Sequence, residues 1–172
     1  SLQIQVAAEV ARDVSATRDL SELLQRAVNL VRDRFGFYHA GIFLVDEKRE
    51  YVALRAATGE SGRKMLLRGH KLRIGETGIV GYATGSGQPR IALDVGIDAV
   101  HFQNPLLPDT RSEIALPLKS GDQVIGALDV QSKQAAAFSE EDVTVLQIMA
   151  DQLAVAIENA RNFEGRRRRI AE

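Results

Sequence analysis

The chain has 172 residues, the length of one domain, and its 45% hydrophobic and 26% charged residues give a globular rather than a disordered balance. Twenty-two basic residues against 23 acidic ones leave a formal charge of −1, so bulk electrostatics offers no attraction to nucleic acid or to an anionic membrane. The absence of cysteine removes disulfides, thiolate metal sites, thiol nucleophiles and thioether-linked chromophores, and it fits a cytoplasmic chain.

No apolar run approaches the ~20 residues needed to span a bilayer, and no signal peptide opens the chain. Residues 3–16 place Ile4, Ala7, Ala11 and Val14 on one helical stripe. Asp19 caps a second predicted helix with Leu20, Leu24, Ala27, Val31 and Phe35 at helical spacing, closed by Gly36. The period then changes: 37–46 and 50–58 read as strands of a hairpin turning at Asp46-Glu47-Lys48-Arg49. Residues 60–74 are ambiguous, with a short helix around Arg63–Leu67 followed by an extended piece. Thr77 precedes a short helix over Gly78–Thr84, ended by Gly85, Gly87 and Pro89.

Arg90–Val95 reads as a short strand, and residues 96–110, with Pro105 and Pro108, as a long irregular loop of the kind that carries function. Two more strands, Ser112–Lys119 and Gln123–Ser132, join at Ser120-Gly121-Asp122. Ser139 caps a final helix that begins with Glu140, Glu141 and Asp142, where carboxylates meet the positive end of the helix dipole, and runs at least to Asn162. Two hairpins with helices gathered against one face make an α+β arrangement on an antiparallel sheet.

Four segments carry a resemblance to the GAF family. Gly75-Glu76-Thr77-Gly78-Ile79-Val80-Gly81-Tyr82-Ala83, running on to Gly87-Gln88-Pro89, resembles its glycine-rich helix and turn. Thr110–Leu118 resembles its central strand, Val124–Val130 the partner strand, and Phe138–Asp142 with the helix ending Ala156-Ile157-Glu158-Asn159-Ala160 its C-terminal boundary. The resemblance covers roughly residues 18–163 in the family's own order. It implies a five- or six-stranded antiparallel sheet, terminal helices on one face and a loop-covered small-molecule pocket on the other. The implied division is an N-terminal linker helix over 1–17, a sensory domain over 18–163 and a C-terminal helical linker extension over 164–172. The implied role is a cytoplasmic regulatory sensor that signals through its terminal helices to an output module outside these residues, such as a histidine kinase of a two-component system.

Covalent bilin attachment and free methionine sulfoxide reduction use cysteines in this family, so the cysteine-free chain is expected to carry no covalent cofactor and not to be an enzyme. Cyclic-nucleotide-binding members resemble one another in an Asn-Lys…Phe…Asp-Glu signature; here Gln131-Ser132-Lys133 precedes Phe138, and the acidic pair is transposed at Glu141-Asp142. The glycines at 75, 78, 81, 85 and 87 satisfy neither G-x-x-x-x-G-K-[ST] nor G-x-G-x-x-G, and close helix–sheet packing explains them better than a phosphate loop. His39, His70 and His101 lack metal-ligand spacing, so no metal is expected.

Alternation along Arg111–Leu118 puts Ile114, Leu116 and Leu118 on one face and Arg111, Glu113 and Ala115 on the other. The candidate ligand-binding residues are Tyr82, Asp94, His101, Phe102, Arg111 and Glu113, with Arg111 holding an anion; the bland alternatives are an Arg111–Glu113 ion pair and a solvated His101. Val143, Leu146, Ala150, Leu153, Ile157 and Ala160 keep 3-4 spacing, and Met149, Ala156, Phe163 and Ile170 form a second stripe, with Ile148 and Val155 widening the apolar arc. A parallel homodimer is expected, with Leu146, Leu153, Ile157 and Ala160 as candidate interface residues; the two terminal helices could instead satisfy each other. Arg166–Arg169 reads as a solvated continuation of the helix rather than a nucleic-acid or membrane patch. The rival readings are an enzyme on a small polar substrate using His101, Asp94 or Glu113 as acid or base, and a ligand-free dimerisation scaffold.

Overall fold

Local chemistry sets each element before packing does. The computed structural model describes residues 4–5, 19–98 and 102–171, with side chains described as far as residue 162. Residues 4–5 are helical, and the remainder of the N-terminal helix expected over 3–16 lies outside the described residues. Helix α1, Leu20–Phe35, starts where Asp19 Oδ1 accepts the Glu22 N–H at 2.9 Å. It stops at Gly36, whose φ of 71° reverses the chain while its N–H donates to the Arg32 carbonyl. Its buried stripe is Leu20, Leu23, Leu24, Ala27, Val28 and Val31.

Strands β1, His39–Val45, and β2, Tyr51–Ala57, form the first hairpin. Asp46 Oδ1 accepts the Glu50 N–H across its turn at 3.0 Å. The stretch that sequence left ambiguous divides into α2, Gly59–Leu67, and an edge strand β3, Lys71–Arg73. Helix α3, Gly78–Ser86, ends at Gly87, which has a φ of 72°. The strand expected over Arg90–Val95 is shorter: β4 is Arg90–Ala92, because Asp94 folds back and accepts the Gly96 N–H at 3.1 Å. Strands β5, Ser112–Ser120, and β6, Gln123–Ser132, form the second hairpin, and α4 runs for 32 residues over Glu140–Ala171.

The six strands make one sheet in the order β3-β2-β1-β6-β5-β4, antiparallel at every pair. Alternation decides what each face buries. Ile114, Leu116, Leu118, Leu128, Val130, Ala40, Ile42 and Leu44 face α1 and α4 and form the larger core with Leu146, Met149, Leu153 and Ile157. Burying each Val, Leu, Ile or Met side chain among them contributes about 1.5–3 kcal/mol. The other face carries a second core of Phe43, Val52, Leu54, Ala115 and Ala127 beneath Met65 of α2, Ile79, Val80 and Ala83 of α3, and Leu107.

Gly81 explains the glycine-rich segment. A Cβ there would lie 2.7 Å from the Arg73 carbonyl oxygen, so α3 seats against the β3 exit only without one. Leu146, Leu153, Ile157 and Ala160, expected at a dimer interface, are 0–3% exposed within this chain's own core. Covering the sheet consumes that arc. Among the described side chains, the large apolar residues that α4 leaves outward are Ile148 and Val155, at 39% and 58% exposed.

Candidate functional site

The sheet face away from α1 and α4 carries polar side chains where a core would be apolar. Antiparallel pairing sets His39 of β1 opposite Gln131 of β6, and Gln131 opposite Glu113 of β5, so three polar residues stand in one cross-strand row. Asp129 stands one row along, opposite Ala115 and Gly41. Period-two alternation directs all four to the same face. His39, Glu113, Asp129 and Gln131 are 2–7% exposed.

Buried polar groups need partners, and these supply each other. Gln131 Nε2 donates to Asp129 Oδ2 at 2.8 Å and to Glu113 Oε2 at 3.2 Å. The Thr110 hydroxyl donates to Gln131 Oε1 at 2.6 Å, which orients the amide so that its nitrogen meets the carboxyl groups. The Thr58 hydroxyl accepts the Ala40 N–H at 3.1 Å and lies 3.4 Å from His39 Nδ1.

The electrostatics follow from burial. Desolvation pushes Glu113 up to about 7, a hydrogen bond with Asp129 works against it, and the charge of Asp98 adds to the rise. Desolvation, reinforced by Arg32 and His70, pushes His39 down to about 4, so its imidazole is neutral at neutral pH. Burial also lowers His70 below its ordinary value.

A strap whose described residues are 93–98 and 102–111, together with the helices α2 and α3, roofs this polar row. Phe102 of the strap packs over the start of α3, where Gly78 has a φ of 68° and a Cβ would lie 2.9 Å from Phe102 Cβ. The His70 ring sits between Phe43 and Phe102, at centroid distances of 5.9 and 6.0 Å. Asn104 Nδ2 reaches Met65 Sδ at 3.0 Å. Arg90 Nη2 donates to both Asp98 carboxylate oxygens, at 2.9 and 3.0 Å. The partly open cavity beneath the strap and helices is about 30 Å3, room for about one water molecule. Its described lining joins Glu113, Asp129, Gln131, His39 and His70 to apolar Phe43, Leu54, Met65, Leu72 and Phe102, with no Lys or Arg among the described residues.

Of the residues singled out from sequence, Glu113 and Phe102 line this cavity. Arg111 does not: its side chain is 55% exposed and its guanidinium pairs with Asp94 at 3.3 Å, outside the lining, rather than with Glu113. Tyr82 is 46% exposed on the outer side of α3, its ring centroid 5.7 Å from the Arg90 guanidinium carbon. His101 lies outside the described residues. Sequence reasoning passed over His39, His70, Asp129 and Gln131. The signal for two of them was present, since Asp129 and Gln131 interrupt an apolar strand at alternate positions, on the face that Glu113 shares.

No group of three or more His, Cys, Asp or Glu side chains among the described residues is placed to hold a metal ion. No described helix is long and apolar enough to cross a membrane.

Comparison with known proteins agrees with this architecture. The structure is similar to free methionine-R-sulfoxide reductase from Neisseria meningitidis in complex with its substrate, at 27% identity and a TM-score of 0.82, covering 94% of this chain and 91% of that one. It is similar to the GAF domain of a phosphoenolpyruvate-protein phosphotransferase from Acinetobacter, at 22% identity and a TM-score of 0.81, over 96% and 98% of the two chains. The corresponding domain from Coxiella burnetii aligns at 20% identity with a TM-score of 0.84, over 95% and 96%. No curated protein sequence matches the chain significantly.

These relatives correct one expectation. The chain was expected not to be an enzyme, yet reductases from Neisseria meningitidis, Thermoplasma acidophilum and Staphylococcus aureus share its fold, so the architecture is compatible with catalysis. The GAF domain model matches residues 17–158, most of the chain, and the chain belongs to the GAF domain family.

Proposed function

We propose that the chain is a sensory module whose sheet-face cavity receives a small molecule bearing an ammonium group, a free amino acid or a close derivative. One observation carries the reading: Glu113 and Asp129 are buried together in a cavity whose described lining residues include no Lys or Arg. Buried carboxyl groups are stabilised by a cation or by retained protons, and a ligand ammonium supplies both charge and donors. An anionic ligand, the expectation from Arg111, is disfavoured by this lining.

Two features accommodate the rest of such a molecule. Gly78, Ile79 and Val80 of the first turn of α3 line the cavity, and Thr77 supplies no side-chain cap, so backbone N–H groups at that helix start suit a carboxylate. Met65, Leu54 and Phe102 suit an apolar side chain. The Neisseria meningitidis reductase, 27% identical, acts on free methionine-R-sulfoxide, itself an amino acid derivative, which supports the same ligand class.

Admitting a molecule larger than water requires Phe102 and the strap to withdraw, and that displacement is the proposed signal. Its route runs through β5 and β6, whose opposite face belongs to the same core as Leu146 and Leu153 of α4. Helix α4 continues to Ala171, a length of about 48 Å, and would carry the change to an output module such as a histidine kinase. A second copy would pair along the outward Ile148 and Val155 stripe. The test is a titration of the chain at pH 8 with free amino acids and with their deaminated counterparts, read by amide chemical shifts. Amino acids should shift resonances of β5, β6 and the strap; equal responses to both sets would refute the reading.

A further inference from the structure

Aromatic residues are scarce in this chain, with six Phe, three Tyr and no Trp, yet three of those Phe and one Tyr meet at one end of the sheet. Phe35 closes α1, Phe37 and Tyr38 lead into β1, and Phe138 precedes the Ser139 cap of α4. The Phe35 and Phe37 rings stack at a centroid distance of 5.9 Å with 8° between their planes, and Phe138 continues the run 5.4 Å from Phe37. Phe35 and Phe37 rest on the rim of the helix-face core, and Tyr38 on the rim of the cavity-face core. Between them and the end of β6 lies an open cleft of about 570 Å3, within the ~300–1,000 Å3 of small-molecule sites.

The other wall of the cleft, Ser132 to Gln134, is polar. Lys133 is the one charged residue among the described lining residues. Its ammonium lies 5.1 Å from the Tyr38 ring centroid and has no carboxylate partner among the described residues. The Tyr38 hydroxyl and the Gln134 side-chain amide likewise make no hydrogen bond among the described residues. Arg32 and Arg34, in the last turn of α1, offset the negative end of its dipole at the Phe35 wall. The loop that carries Lys133 is tied on three sides. The Ser112 hydroxyl of β5 donates to the Gln134 carbonyl at 2.6 Å, and the Ala136 N–H donates to the Leu93 carbonyl of the strap at 2.8 Å. Ala136 has a φ of 52°, a left-handed backbone that alanine keeps only where its surroundings impose it. Across the cleft, the Tyr38 N–H donates to the Gln131 carbonyl at 3.0 Å.

We propose that this cleft is a second ligand site, for a small molecule that joins an aromatic ring to a carboxylate. The ring lies against Phe37 and Tyr38 and lengthens the stacked run, while the carboxylate meets Lys133 Nζ, with Gln134 and the Tyr38 hydroxyl as further donors. Charge selects the occupant. With one cation and no acidic group in the described lining, an aromatic amine keeps the ring contacts and loses the pairing. The site is separate from the sheet-face cavity and does not depend on what that cavity receives. Its loop joins β6 to the strap and to the start of α4, so an occupant acts on the elements through which the cavity would signal.

The test uses the whole 172-residue chain at pH 7, with sodium 3-phenylpropionate as probe. Sodium propionate, which lacks the ring, and 3-phenylpropylammonium chloride, which reverses the charge, are the controls at matched ionic strength. Amide and side-chain chemical shifts report where each binds. The probe should give saturable shifts at Phe37, Tyr38, Lys133 and Gln134, with a dissociation constant of about 1–5 mM for so small a molecule on an open cleft. Each control should bind there about fivefold more weakly or less. Lys133→Gln, at an exposed position, should weaken the probe about three- to fivefold. Tyr38→Leu, which keeps an apolar side chain but removes the ring, should weaken it about fivefold. The two controls and Lys133→Gln decide the matter if Tyr38→Leu impairs folding. No saturable shift at these residues up to about 20 mM, equal binding of either control, or unchanged affinity in Lys133→Gln would overturn the proposal. Probe shifts centred on Glu113, Asp129 and His70 instead would overturn this site and contradict the ammonium reading of the cavity as well.

Discussion

Replacing Leu153 by Ala tests how α4 is used. The side chain is 2% exposed among the helix-face core residues, whereas Val155, two residues along the same helix, is 58% exposed. Removing a buried leucine side chain to alanine costs about 2–5 kcal/mol, through lost transfer energy and the cavity left behind. That is a large share of the roughly 5–15 kcal/mol by which a domain is stable. For a chain of this size each kcal/mol moves the melting temperature by about 2–4 °C, so Leu153→Ala should lower it by roughly 4–20 °C. In the lone chain, at the lower concentration, Val155→Ala should change stability by about 0.5 kcal/mol or less. Urea denaturation followed by circular dichroism, at two protein concentrations tenfold apart, makes the measurement. If Leu153 belongs to the chain's own core, its loss is the same at both concentrations; a residue buried by a second copy would show a concentration-dependent loss. A cost below about 1 kcal/mol, equal effects at the two positions, or a concentration-dependent difference would refute this assignment of the two helix faces.

Gly81→Ala should destabilise the fold by about 1–3 kcal/mol in urea, because its new Cβ meets the Arg73 carbonyl, a backbone atom that cannot swing aside. Glu113, raised from 4.5 to about 7 in the folded state, contributes stability that is full below pH 4.5 and lost as the pH rises through 7. Glu113→Gln should therefore raise stability at pH 8 by up to about 3 kcal/mol, with the gain shrinking towards pH 5, as urea midpoints at the two values will show. His39, lowered from 6.5 to about 4, acts the other way: its contribution is full above pH 6.5 and lost as the pH falls through 4. His39→Gln should flatten the loss of stability on acidification between those values. Arg90→Ala, which breaks the half-buried pair with Asp98, should speed amide exchange in residues 93–98 by about tenfold while leaving α1 and α4 protected, as hydrogen exchange will report.

What the amino-acid order discloses here depends on whether the determinant is local. Asp19 and Gly36 mark both ends of α1 because capping is a contact within one turn, and alternation along β5 and β6 assigns their faces without any partner in view. Glu113 was placed on the cavity face by that alternation alone. Arg111 was placed there by the same logic and lies outside, because it precedes the first paired residue of β5 and its side chain follows the strap towards Asp94. The row His39–Gln131–Glu113 joins strands separated by up to 92 residues. Such a row comes from register, which no local pattern encodes. The α4 stripe is a related case. Periodicity shows that Leu153 and Ile157 share a face with Leu146, but the width of sheet they must cover becomes visible only when all six strands are in place.

The account turns on whether an ammonium group settles against Glu113 and Asp129. The most direct measurement is the amide and side-chain chemical shift map of the chain at pH 8, titrated with a free amino acid and then with the same molecule lacking its amine. The account predicts saturable shifts centred on Glu113, Asp129, Gln131 and Phe102 with the amine present and none at equal concentration without it. Shifts of equal size for both molecules, or shifts confined to the α1 and α4 face of the sheet, would contradict it.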